Sequence, residues 1–171
     1  MATRSTIALE FADGTVEQVY CHWDGYLAYN GQLLLKHYSN PFVLRDLIDL
    51  GDISSLKPTI GTKHAFSHFG TTLDQTAYDH LYGEMTTFYG RDRGETGADK
   101  KKFKDYADYI ANHQYEEYDY ILRNVNGKAT WFVSDHDGAY VELEQAIMDE
   151  QDSIAQEIGR ASCRERVSSP V

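Results

Sequence analysis

Thr6-Ile-Ala-Leu-Glu-Phe11 and Thr15-Val-Glu-Gln-Val-Tyr-Cys-His-Trp23, with Asp13-Gly14 between them, decide the fold class of this chain. Asp-Gly between two β-prone runs is a strong short hairpin signal, because both central positions of the tightest turn take positive φ. A two-residue loop pairs Phe11 with Val16, Leu9 with Gln18 and Ile7 with Tyr20. It sets those residues on one core-facing side, which His22 continues. A bulged three-residue loop shifts that register and exchanges the faces. A second hairpin lies far downstream, where Tyr118–Val125 and Lys128–Ser134 flank Asn126-Gly127. Tyr120, Leu122, Trp131 and Val133 share one of its faces.

Helical signals fill much of the interval. Asn30 is placed to cap a helix over Gln32–Tyr38, with Leu34, Leu35 and Tyr38 at helical spacing. Ser39-Asn40-Pro41 puts a capping residue before a proline at the first helical position. Phe42, Leu44, Leu47 and Ile48 then form an apolar stripe, and Gly51 ends the helix. Residues 57–98 have no clear period, beyond a short helix over Asp74–Tyr82 and a short strand over Met85–Tyr89. Irregular stretches of that length inside a domain are often functional. Lys100–His113 reads as a helix with Phe103, Tyr106, Ala107 and Ile110 on one side. Asp137-Gly138 makes a turn, Tyr140-Val141 an edge strand, and Glu142–Gln156 a last helix.

Together these signals predict a single α+β domain over residues 1–157. Both hairpins join one sheet of four or five strands, with helices packed on one face. The 171 residues, 42% hydrophobic, suit one domain that needs neither disulfide nor metal to fold. No apolar run reaches the length of a membrane span, and no signal peptide opens the chain. Two cysteines point to a reducing cytosol rather than a disulfide scaffold. The net charge of −11 disfavours direct binding to nucleic-acid phosphates and suits a basic partner, or solubility alone.

The character of the chain changes at its end. Glu157–Val167 reads Glu-Ile-Gly-Arg-Ala-Ser-Cys-Arg-Glu-Arg-Val and resembles translated read-through of a sequencing adapter. Residues 158–171 are therefore read as a non-native, disordered tail on an assembled environmental sequence whose own C-terminus is missing, with the last helix ending near Glu157. Setting aside its three Arg and one Glu takes the net charge from −11 to −13.

Four groups of residues can carry chemistry. Tyr20-Cys-His-Trp-Asp-Gly-Tyr26 brings a thiol, an imidazole, an indole and a carboxylate to the end of a strand. His22 and Asp24 share a face while the strand lasts, as a His–Asp acid/base pair or a metal site requires. The structural alternative has Trp23 and Tyr26 packing the sheet's end over a turn at Asp24-Gly25. Cys21 and His22 are adjacent on a strand and point to opposite faces, so they cannot form a thiol–imidazole pair. In Tyr89-Gly-Arg-Asp-Arg-Gly-Glu95, Arg91 and Arg93 can hold a phosphate or carboxylate, and Asp92 and Glu95 a divalent cation. The alternative is a solvated loop of internal ion pairs. His64 and His68, four apart, are weak candidates for zinc. Thirteen tyrosines, many beside acids in 106–120, suit either a protein-binding surface or a tyrosine core with an acidic rim. No motif calls for a cofactor.

Arg4-Ser5-Thr6-Ile7, Tyr20-Cys-His-Trp-Asp-Gly-Tyr26, His37-Tyr38, Leu50-Gly-Asp-Ile-Ser-Ser-Leu56 and Arg91-Asp-Arg-Gly-Glu95 together resemble a family of small proteins encoded by tailed bacteriophages and prophages. The resemblance covers roughly residues 2–156. It implies a source, a phage gene expressed in a bacterial cytoplasm, and no mechanism. Two functions are expected from this. The first is a non-enzymatic accessory protein that binds a host or phage protein, as in counter-defence, through Trp23, Tyr26, Arg91 and Arg93. The alternative is a small metal- or phosphate-using hydrolase with His22, Asp24, Arg91, Asp92 and Glu95 in one pocket.

Overall fold

The structure is a computed structural model that describes residues 2–135 and 138–168, with side chains through Arg164. The expected turn at Asp137 falls outside the described residues. The chain folds as an α+β domain around one mixed sheet. The strands are β1 (Ser5–Glu10), β2 (Val16–Cys21), β3 (Ile53–Ser55), β4 (Thr87–Phe88), β5 (Lys101–Phe103), β6 (Tyr118–Val125), β7 (Lys128–Asp135) and β8 (Tyr140–Glu142). Their order is β4-β3-β2-β1-β6-β7-β8, and β5 adds to the outer edge of β2. Among the described residues the sheet thus has eight strands, more than the four or five expected. The additions are short pieces of two or three residues, too brief to show a period.

Both hairpins form, and a parallel pairing of β1 with β6 joins them. The second has the expected two-residue turn, with Val125 opposite Lys128, Leu122 opposite Trp131 and Tyr120 opposite Val133. The first takes the other register. Ile7 pairs with Val19 and Leu9 with Glu17. Its loop closes through Phe11 N–H to Thr15 O at 2.8 Å. Gly14 takes φ +91, and Asp13 accepts hydrogen bonds from the Thr15 N–H and hydroxyl. That is the bulged three-residue loop, so Ile7, Leu9, Val19 and Cys21 face one core while Thr6, Ala8, Val16, Gln18 and Tyr20 face the other.

Helices cover the first face. Leu34 of α1 (Gln32–His37), Leu44, Leu47 and Ile48 of α2 (Pro41–Asp49), and Leu143 and Ile147 of α6 (Leu143–Ser168) bury against it. The second face is also covered. Phe103 of β5 and Tyr109 of α5 (Tyr106–Asn112) pack there with Ala8, Val16 and Ile121. Within the irregular stretch stand α3 (Gln75–Tyr82), capped by Asp74, and α4 (Tyr89–Arg93).

Four local expectations change. Asn30 does not cap α1; it lies fully buried in a π-helical turn, Leu27–Gly31. Phe42, 68% exposed, drops out of the α2 stripe, while Asn40 caps the helix as expected. Lys101–Phe103 is strand rather than helix, because β2 offers an open edge there and Asp105 caps the helix only at Tyr106. Finally, α6 does not end near Glu157 but runs on to Ser168. Arg160, Ala161, Arg164, Glu165 and Arg166 favour helix, and cations suit its C-terminal end. The helix side chains from Gln151 to Arg164 are all exposed.

Candidate functional site

The Tyr20–Tyr26 string is a corner that turns β2 into the π-helical turn. β2 ends at Cys21, so the same-face relation of His22 and Asp24 ends with it. His22 instead shares a 2.7 Å hydrogen bond between its Nδ1 and the Tyr20 hydroxyl. Asp24 takes φ +57, the left-handed region that a carboxylate residue tolerates. Its carbonyl accepts from Asn30 N–H. Gly25 N–H donates to Thr3 O at 2.8 Å, and the Tyr120 hydroxyl donates to Gly25 O at 2.6 Å. Asn30 Nδ2 donates to Trp23 O, Ser5 Oγ and Cys21 Sγ. Burial pushes the Cys21 thiol up to about 11, so it has little thiolate with which to attack anything.

A Cβ on Gly25 would lie 2.8 Å from both Thr3 O and Ser5 Cβ. Gly25→Ala is therefore expected to destabilise the protein by about 1–3 kcal/mol, the range of an overpacked site. Urea denaturation measures this, and an unchanged midpoint would show that the corner yields freely.

The rigid corner leaves its aromatic rings outside. Trp23 is 44% exposed and Tyr26 40% exposed, so neither packs the sheet's end. Trp23 meets His22 edge to face, and Tyr26 leans toward Tyr29, whose hydroxyl accepts from Lys57 Nζ at 2.9 Å. Nothing local in the sequence marks Tyr29 and Lys57, both half-buried, as partners of the corner.

Arg91 and Asp92 turn inward. The Asp92 carboxylate is fully buried. Its Oδ1 accepts from His64 N–H at 3.0 Å and from Arg91 Nε at 3.0 Å, and its Oδ2 accepts from Phe88 N–H at 2.8 Å. Arg91 also donates to Gly61 O and Thr86 O, and its guanidinium lies over the Phe88 ring. The pair clips three separate pieces of the 57–98 stretch together and leaves no free fork for a phosphate. Arg93 and Glu95 form an exposed pair at 3.5 Å, with Arg93 over the Phe66 ring.

His64 is occupied as well. Its Nδ1 lies 2.8 Å from Thr62 O and therefore donates there, although Asp92 Oδ1 stands only 3.6 Å away. Its Nε2 lies 3.1 Å from Thr87 Oγ1. His68 sits in a separate 3-10 turn, against Phe69. Among the described residues no three His, Cys, Asp or Glu side chains gather as metal ligands.

No protein-family model, no curated protein and no solved structure matches this chain. Among the described residues no helix is long and apolar enough to cross a membrane.

Proposed function

We propose that the protein is a phage-encoded accessory protein that works in the bacterial cytoplasm by binding a host protein, to blunt a defence or redirect a host enzyme, and that it docks through Trp23 and Tyr26. The observation that carries the reading is the exposure of these two rings on a corner held by hydrogen bonds from Gly25, Asn30 and Tyr120. Trp and Tyr dominate the energetic centres of protein interfaces, and a pre-ordered backbone lowers the entropy lost on binding. Lys57 beside Tyr29 and Arg93 over Phe66 add cationic points to a chain of net charge −11. The hydrolase alternative draws no support from the geometry. Arg91 and Asp92 bond to backbone and to each other, and His22 bonds to Tyr20 rather than Asp24.

The test is affinity capture from bacterial lysate by the native chain and by a Trp23→Ala/Tyr26→Ala variant. Exposed positions of this kind change stability by about 0.5 kcal/mol or less. The variant should therefore melt like the native chain yet lose its host protein by at least about tenfold, the loss of a hot-spot contact. Equal capture by both chains would remove the corner from the interface.

A further inference from the structure

A polar cleft of about 300 Å³ opens on the second face of the sheet, and neither Trp23 nor Tyr26 lines it. It exists because the outer edge of β2 has two neighbours with a gap between them. β5 pairs with Val16–Gln18, and β3 pairs only at Cys21. In the gap the Tyr20 N–H meets no strand and donates instead to Asp52 Oδ1 at 2.9 Å. Thr6 and Gln18, each 2% exposed, form a polar floor with Tyr20.

Four charged side chains line this cleft, and two of them are committed. Lys101 Nζ donates to Gln114 Oε1 at 3.1 Å, and Gln114 Nε2 donates to Glu116 Oε1 at 2.7 Å, so one amide ties both. The other two have no ion pair within 4 Å among the described residues, though Asp52 already accepts the Tyr20 N–H through one oxygen. Arg4 precedes β1 on the same face as Thr6 and has no ion pair among the described residues. Asp52 is half-buried, and among the described residues its Oδ2 accepts no hydrogen bond. Burial raises its carboxyl above the usual range, against the Tyr20 N–H and the Lys101 charge, which pull it down. Arg4 extends β1 and Asp52 leads into β3, on either side of β2. Across the sheet they stand two strand spacings apart, roughly 10 Å, and they are offset along it by about two residues, Arg4 extending the register opposite His22 and Asp52 that opposite Tyr20.

We propose that this cleft binds a free α-amino acid, with the ligand's carboxylate on Arg4 and its ammonium on Asp52. The volume lies at the small end of ligand sites and suits a molecule of that size. A plain anion would face Asp52 and Glu116, and a plain cation would face Arg4 and Lys101. A zwitterion meets both signs favourably. Neither Trp23 nor Tyr26 lines the site, although its Tyr20 bonds His22 of the corner.

Isothermal titration of the intact chain with each of the twenty free L-amino acids tests this. At least one should bind with one-to-one stoichiometry. Arg4→Ala and Asp52→Asn should each weaken it by at least about tenfold. The Asn variant keeps the acceptor for the Tyr20 N–H, and Arg4 is exposed, so both should fold. The ligand supplies a second reading that needs no variant: the amide of the same amino acid, lacking the carboxylate, and its N-acetyl form, lacking the ammonium, should each bind at least about tenfold more weakly to the native chain. The proposal is overturned if no free amino acid binds, if the amide or N-acetyl form binds as well as the parent, or if either folded variant retains native affinity.

Discussion

Asp92→Ala is expected to destabilise the protein by about 3–5 kcal/mol, the cost of removing one partner from a buried ion pair. The native carboxylate is fully buried and satisfies the His64 N–H, the Phe88 N–H and Arg91 Nε together. Alanine leaves two backbone donors and a largely buried guanidinium without an acceptor. Asp92→Asn keeps one carbonyl oxygen but loses the negative charge beside Arg91, so an intermediate loss follows. Urea unfolding of the three chains at one pH provides the measurement. Because the pair clips Gly61, His64, Thr86 and Phe88, amide exchange should rise first across 57–98 in the Asn variant. A loss below about 1 kcal/mol for the alanine variant would mean that the carboxylate is not a structural clip.

Asp119 gives the second large effect, and its sign runs with acid rather than against it. The residue is 1% exposed, accepts from the Thr6 hydroxyl at 2.6 Å and from Glu116 N–H at 3.2 Å, and has no ion pair among the described residues. Burial is the main cause that pushes its carboxyl up to about 6; the hydrogen bonds oppose it and the Glu116 charge adds to it. An unfolded Asp titrates near 3.9. Between about pH 4 and about pH 6 the folded state therefore holds the proton more tightly than the unfolded chain. The stabilisation is fully present below about pH 4 and is lost as pH rises through about 6, for a swing of about 3 kcal/mol. Asp119→Asn, uncharged throughout, should remove this fall while keeping an acceptor for Thr6. Other acids, such as Asp13 and Asp108 with lowered pKa values, act alike in both chains. The difference between the chains thus isolates Asp119. Parallel stability curves for native and variant from pH 4 to 7.5 would contradict the assignment.

Several features of the fold are legible because their chemistry is confined to a few neighbouring residues. Asn126-Gly127 takes φ +51 and +84, as a two-residue hairpin turn requires. Asn40-Pro41 starts α2 through a side-chain cap that the dipeptide announces. Asp74 caps α3 at the start of the helix expected over Asp74–Tyr82, whereas the Asp105 cap of α5 lies hidden within the helix expected from Lys100. The first hairpin marks the boundary of that legibility. Asp13-Gly14 serves both loop lengths, and Asp13's bonds to Thr15 select the longer one. One residue of loop then decides which face carries Tyr20.

The candidate sites show the same division. The sequence places Arg91 and Asp92 in one group and His64 in another, and residue types show neither that they meet nor whether donors point to a ligand or to the chain's own carbonyls. Of the acceptors for Arg91, Thr86 O lies five residues upstream and Gly61 O thirty, and residue spacing does not show that they converge. Asn30 looks like a cap by position, yet its amide serves Ser5, Cys21 and Trp23 once the corner folds over β1.

The turns, caps and helix stripes, and hence the α+β class, follow from the sequence because backbone preference and side-chain period act over a turn or two of chain. The parallel pairing of β1 with β6 belongs to the tertiary structure alone. So do the short strands β3 and β5, the gap between them that opens the cleft, and the exposure of Trp23 and Tyr26. The physical reason is distance along the chain. Strand pairing and burial are settled by apolar surfaces and unpaired backbone groups meeting from segments up to 113 residues apart, as Thr6 meets Asp119. Which groups meet depends on how the whole set packs.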